Sequence, residues 1–142
     1  MPGKIKTKPH IEVACAIIER GGLVLAAQRS ESMSMPLKWE FPGGKIHVGE
    51  SSEECLVREL LEELDVLVTV KYPLKPVTWE YAGFSVTLHP FVCAIKKGAI
   101  VIHEHKAVKW LTPAELPTLD WAEADFPVIS EYLSLKSGGD SK

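Results

Sequence analysis

The chain lacks any pairing pattern among its cysteines. Cys15, Cys55 and Cys93 stand far apart, are odd in number and form no C-x-x-C, which argues against a zinc ribbon and a disulfide framework alike. Cys15 and Cys93 fall in apolar, strand-like runs and read as buried thiols. The expected compartment is reducing and cytoplasmic. No apolar run approaches the ~20 residues of a spanning helix, so no membrane partner is expected. The stretch Met1–His10 is basic, but the apolar run after it is short and contains Glu12, a poor signal peptide. Positive charge is not in excess either. Sixteen Lys and Arg against 19 Asp and Glu give a net charge of −3, the wrong sign for stable nucleic-acid binding. A nucleotide substrate stays open, because a metal ion can supply the missing positive charge.

What is present is an ordinary globular composition, 46% hydrophobic and 25% charged, in a length suited to one domain with a real core. Residues 1–136 read as that domain and residues 137–142 as a frayed tail. Ile11–Ile18 reads as a buried strand, joined through a Gly21-Gly22 hairpin to a second over Leu23–Ala27. Trp39-Glu40-Phe41 is a short strand stopped by Pro42-Gly43-Gly44. Further strands are expected over Val66–Val70, Val77–Tyr81, Phe84–Ile95 and Ala107–Leu111, with Pro90 needing an edge or a bulge. A short helix begins at Thr112-Pro113, and Ala124–Leu135 forms the last helix. The class is α+β, two helices against a mixed sheet.

The densest signal lies between Glu50 and Asp65. Seven acidic residues fill those sixteen positions, and Arg58 is the one basic residue among them. Ser51 and Glu54 make a capping box. Leu56, Val57, Leu60, Leu61 and Leu64 then recur at helical spacing and predict one buried arc, with Glu59, Glu62 and Glu63 on the other side. Like charges at i, i+3 and i+4 repel by a few tenths of a kcal/mol per pair. Three such carboxylates behind a glycine turn suit a hard cation such as Mg²⁺, and that cation suits attack of water on a phosphoanhydride.

The run Gly44–Val66 resembles the Nudix box, G-x5-E-x7-R-E-U-x-E-E-x-G-U, at every defined position but the last glycine, which is Asp65. The flank Trp39–Ile46 is similar to MutT-type members, and a weaker likeness extends from the first strand to Ala124–Ile129. The resemblance implies an α/β/α sandwich and Mg²⁺-dependent hydrolysis, with Mn²⁺ an alternative cation, of a nucleoside diphosphate linked to another group. In MutT-like members that is a nucleoside triphosphate cut to monophosphate and pyrophosphate. It implies Glu59, Glu62, Glu63 and the Gly43 carbonyl as metal ligands, with Glu59 also a candidate general base. Arg58 and Glu50 pair to hold them, and Lys45 faces the phosphates. Glu104, in an E-H-x4-W pattern, is a further candidate ligand; the flanking His103 and His105 lack the partners of a zinc site.

By the same resemblance Arg29, Phe41, Tyr81 and Asp125 surround the base. Asp125 stands where MutT carries an asparagine. An ionised carboxylate only accepts hydrogen bonds, so Asp125 should favour an edge rich in N–H groups. Both an oxidised guanine nucleotide and a CTP or 5-methyl-dCTP substrate remain open, in a monomer or homodimer. The other readings are hydrolysis of dinucleotide polyphosphates or nucleotide sugars, and a catalytically silent Nudix recognition module. The short chain weighs against the first, the intact glutamates against the second.

Overall fold

The computed structural model describes residues 8–140. Most of the basic stretch Met1–His10, and the last two residues of the expected tail, lie outside them. The chain runs β1 (His10–Arg20), β2 (Leu23–Gln28), β3 (Trp39–Glu40), β4 (Gly43–Lys45), α1 (Ser52–Leu64), β5 (Leu67–Pro73), β6 (Val77–Glu80), β7 (Ser85–Lys97), β8 (Ala107–Leu111), a 3₁₀ helix over Pro113–Thr118, and α2 (Asp125–Asp140). The strands form one sheet in the order β3-β2-β1-β7-β5, with β4 on β1, β6 on β7 and β8 on β2. β1 and β7 run parallel, from His10 opposite Ser85 to Glu19 opposite Ala94; the other named pairs are antiparallel.

Alternation along β1 divides the interior in two. Ala14, Ala16 and Ile18 pack with Cys55, Leu56, Leu60 and Leu64 of α1. Cys15 and Ile17 pack on the opposite face with Trp121 and with Val128, Ile129 and Tyr132 of α2. A strand period of two makes both faces apolar at once, and the result is the expected layering of helix, mixed sheet and helix. Among the described residues no helix is long and apolar enough to cross a membrane. All three cysteines are free and buried.

Four local expectations change. Gly43–Lys45 is not the end of a strand but a strand of its own, registered on Val13–Cys15 of β1. Leu61 is exposed rather than in the buried arc, and Cys55 takes a place in that arc. Pro90 lies in a central strand, where β7 changes partner from β6 to β5. Its carbonyl accepts from Leu74 at 2.9 Å. The missing N–H points to that same side, so no ladder bond is lost to β1. Helix α2 continues through Asp140, beyond Ser137.

Candidate active site

The acidic helix is held at both ends. At its start the Ser51 hydroxyl accepts from the Glu54 amide at 3.0 Å, and the Glu54 carboxylate accepts from the Ser51 amide at 2.9 Å; such a cap contributes about 1 kcal/mol. At its end Asp65 takes the left-handed conformation, φ 60°, and its amide donates to Leu61. The Asp65 side chain pairs with His103 at 2.8 Å. Aspartate therefore takes the left-handed cap at the position where the box pattern has glycine.

Within the helix Arg58 organises the carboxylates. Its Nε and Nη2 donate to the two oxygens of Glu50, both at 2.8 Å. Its Nη1 reaches Glu59 at 2.9 Å and Glu62 at 3.3 Å. The guanidinium, helped by the His47 amide, lowers the Glu50 carboxyl to about 2. Behind the helix, the Cys55 thiol donates to the carbonyls of Lys45 and Gly44 at 3.3 and 3.5 Å, tying α1 to β4. Glu59 lies so close against Gly44 that a Cβ there would collide with its carboxyl group.

Glu63 does not stand on an open face. It is half-buried, and its Oε1 is enclosed with no hydrogen-bond partner among the described residues. Burial first, then the charges of Glu59, Glu40 and Glu104, push its pKa up to about 9. The carboxylates at helix positions 59 and 63 meet the sheet and the segment before β8, which a helical wheel does not contain. No group of three or more His, Cys, Asp and Glu among the described residues is already assembled to hold a metal ion. The donor set nevertheless fits a hard cation that keeps some of its water and takes phosphate oxygens. An enclosed carboxylate oxygen without a donor, crowded by like charges, is what such a cation would satisfy.

A cavity of about 480 Å³ opens beside this group, within the range of small-molecule sites. It is lined by Arg29, Phe41, Gly43, Lys45, Glu63, Tyr81, Glu104 and Asp125. Glu50, Arg58, Glu59 and Glu62 are not among its lining residues; Arg58 ties the three carboxylates together and touches the Lys45 carbonyl of β4. Phe41 is almost wholly buried and packs on Trp121 with ring centroids 4.8 Å apart. Tyr81 stacks on Phe84, and its hydroxyl accepts from the Ala124 amide at 2.9 Å. Lys45 and Glu104 are exposed.

Asp125 belongs to the wall of this cavity rather than to the open surface. It is 5% exposed. Burial above all, and then the neighbouring Glu40 carboxylate, raise its pKa well above the ordinary range, against the Phe41 amide and Arg29. That direction favours the protonated acid, which both donates and accepts, as an amide does. Glu40 and His105 are cavity residues that pattern reasoning passed over. The signal available for Glu40 was a single charge between two aromatic residues of a strand. For His105 there was only its place in the E-H-x4-W pattern.

A family model described as the NUDIX domain matches residues 8–132. The chain is 38% identical over 127 residues to the CTP pyrophosphohydrolase of Escherichia coli K12, covering 89% of this chain and 94% of that one. It is also 38% identical over 130 residues to a putative 8-oxo-dGTP diphosphatase 2 of Mycobacterium tuberculosis H37Rv, covering 91% and 92%. Among solved structures, that of the E. coli ORF135 protein superposes with a TM-score of 0.81 at 34% identity, covering 99% of this chain and all of that one.

Proposed function

The chain belongs to the Nudix family, and from that premise we propose that it is a MutT-like nucleoside triphosphate pyrophosphohydrolase. It would release pyrophosphate and the monophosphate from CTP-type or oxidised guanine (deoxy)nucleotides, a sanitising activity on the nucleotide pool. The observation that carries this reading is that one cavity touches both Glu63 and Glu104 beside the Gly43–Lys45 strand and the Asp125–Glu40 pair. A triphosphate and a base need those two environments within one ligand's reach.

Glu59, Glu62, Glu63 and the Gly43 carbonyl would hold Mg²⁺ or Mn²⁺, with Glu104 within the same cavity. When bound, the cation neutralises charge on the phosphates and makes water a better nucleophile. The protein's own contribution is orientation. Arg58, locked on Glu50, fixes Glu59 against Gly44, where it can take the proton from the attacking water. Lys45 places positive charge at the cavity mouth. Asp125, as a neutral acid, matches an edge that offers an acceptor next to an N–H: N3 and N4 of cytosine, or O6 and N1 of a guanine.

A panel of canonical, oxidised and methylated (d)NTPs with Mg²⁺, read as pyrophosphate release, tests the activity; no release from any of them sinks it. Asp125→Asn should keep the substrate ranking, because the amide reproduces the neutral acid. Asp125→Ala should lower kcat/KM by about 10²-fold, mostly through KM, since it leaves the base edge unmatched. A reversed ranking in Asp125→Asn would mean that Asp125 reads the base as an anion.

A further inference from the structure

One chain of contacts in the cavity wall takes no part in the chemistry proposed above. Each oxygen of Glu40 is held from a different direction. Arg29 Nη1 donates to Oε1 at 2.6 Å, and His105 Nε2 meets Oε2 at 2.8 Å. A carboxylate can only accept, so this contact places the imidazole proton on Nε2. Arg29 is itself fixed: its Nε and Nη2 donate to the Ser34 carbonyl at 2.6 Å and hydroxyl at 3.0 Å. The next residue after His105 is anchored too, the Lys106 amide donating to Gln28 at 2.9 Å.

His105 is an expensive residue to keep there. Its side chain is 1% exposed, and its Nδ1 is enclosed with no partner among the described residues. An unmatched buried nitrogen destabilises the fold, and a leucine would fill the space without that cost. What the ring supplies in return is the Nε2–H on Glu40. Glu40 lines the cavity with Asp125, and each of its oxygens has a second lone pair beyond the one already used.

We propose that His105 is a positioning residue for base selection. Holding Glu40 against Arg29, it presents an acceptor-only carboxylate to the amino group of a base and disfavours a base with a carbonyl or a bare C–H there. Cytosine is then preferred over uracil, or guanine over hypoxanthine. The inference rests on the nucleotide reading of the cavity.

The test is equilibrium binding of the monophosphates CMP, UMP, GMP and IMP by calorimetry, without turnover, to wild type, His105→Gln and His105→Leu. Glutamine can return an N–H donor to Glu40; leucine only fills the volume. Wild type should bind the amino-bearing member of at least one pair about tenfold more tightly, His105→Gln should stay within about threefold of that ratio, and His105→Leu should fall below about twofold. Equal or undetectable binding of all four by wild type overturns the proposal. So does a folded His105→Leu with the wild-type ratio, or a loss in His105→Gln as large as in His105→Leu. If His105→Leu does not fold, Glu40→Gln decides: it leaves the ring in place, and a ratio unchanged from wild type overturns the proposal. Pyrophosphate release by wild type is measured alongside. Selective binding without release sinks the hydrolase reading alone, and release without selectivity sinks the role of His105 alone.

Discussion

Glu63→Gln should reduce pyrophosphate release by roughly 10²–10³-fold, the scale of losing one preorganised electrostatic group, while leaving the metal-free protein more stable than wild type at neutral pH. Both effects have one origin. The Glu63 carboxyl is enclosed among Glu59, Glu40 and Glu104, and its pKa rises from 4.5 to about 9. Between those two values the folded protein binds more protons than the unfolded chain, so metal-free stability falls as pH rises through that window. The loss is on the order of a few kcal/mol by pH 9. Glutamine has no proton to lose and removes this slope. Saturating Mg²⁺ should also remove it from wild type, because a ligating carboxylate gives up its proton and binding to the folded state adds stability. Urea denaturation at pH 5, 7 and 9, in chelator and in Mg²⁺, measures all of this. A metal-free wild type equally stable at the three pH values would remove Glu63 as the strained group.

How far the sequence could be read follows from the distance over which each feature is decided. The Gly21-Gly22 hairpin, the Ser51–Glu54 capping box and the three-glutamate spacing depend on neighbours within about four residues, and all were legible. β4 was not legible, because its partner Val13–Cys15 lies some thirty residues earlier. The raised pKa of Glu63 comes from burial first and then from the charges of Glu59, Glu40 and Glu104, the last two from the sheet and from the segment before β8. The raised pKa of Asp125 comes from burial first and then from Glu40, far from it along the chain. Leu61 fails for a different reason: it sits at the margin of the apolar arc, where periodicity permits burial and only the neighbouring strands decide. The Arg29–Glu40–His105 chain joins three separated segments, and no local pattern announces it.

Gly43→Ala and Gly44→Ala should give opposite phenotypes, although the two residues are adjacent in one strand. A Cβ at Gly43 would overlap the backbone carbonyl of Ala14 and stand 2.8 Å from Cys15 Cα. Backbone cannot yield as a side chain can, so β4 must leave β1. That puts at risk its register and the neighbouring bond from the Ala16 amide to Pro42, 2.8 Å. A cost of about 3 kcal/mol or more follows, a fall of roughly 10 °C in Tm. At Gly44 the atoms in the way are the far end of Glu59, which can swing aside with little loss of stability. Swinging aside breaks its 2.9 Å bond to Arg58 and takes it out of reach of the cation and the water it serves. Gly44→Ala should therefore melt within about 2 °C of wild type yet release pyrophosphate roughly 10²-fold more slowly. Thermal melts and kinetics on the same preparations separate the two. A Gly44→Ala protein with wild-type kcat would mean that Glu59 works from some other position.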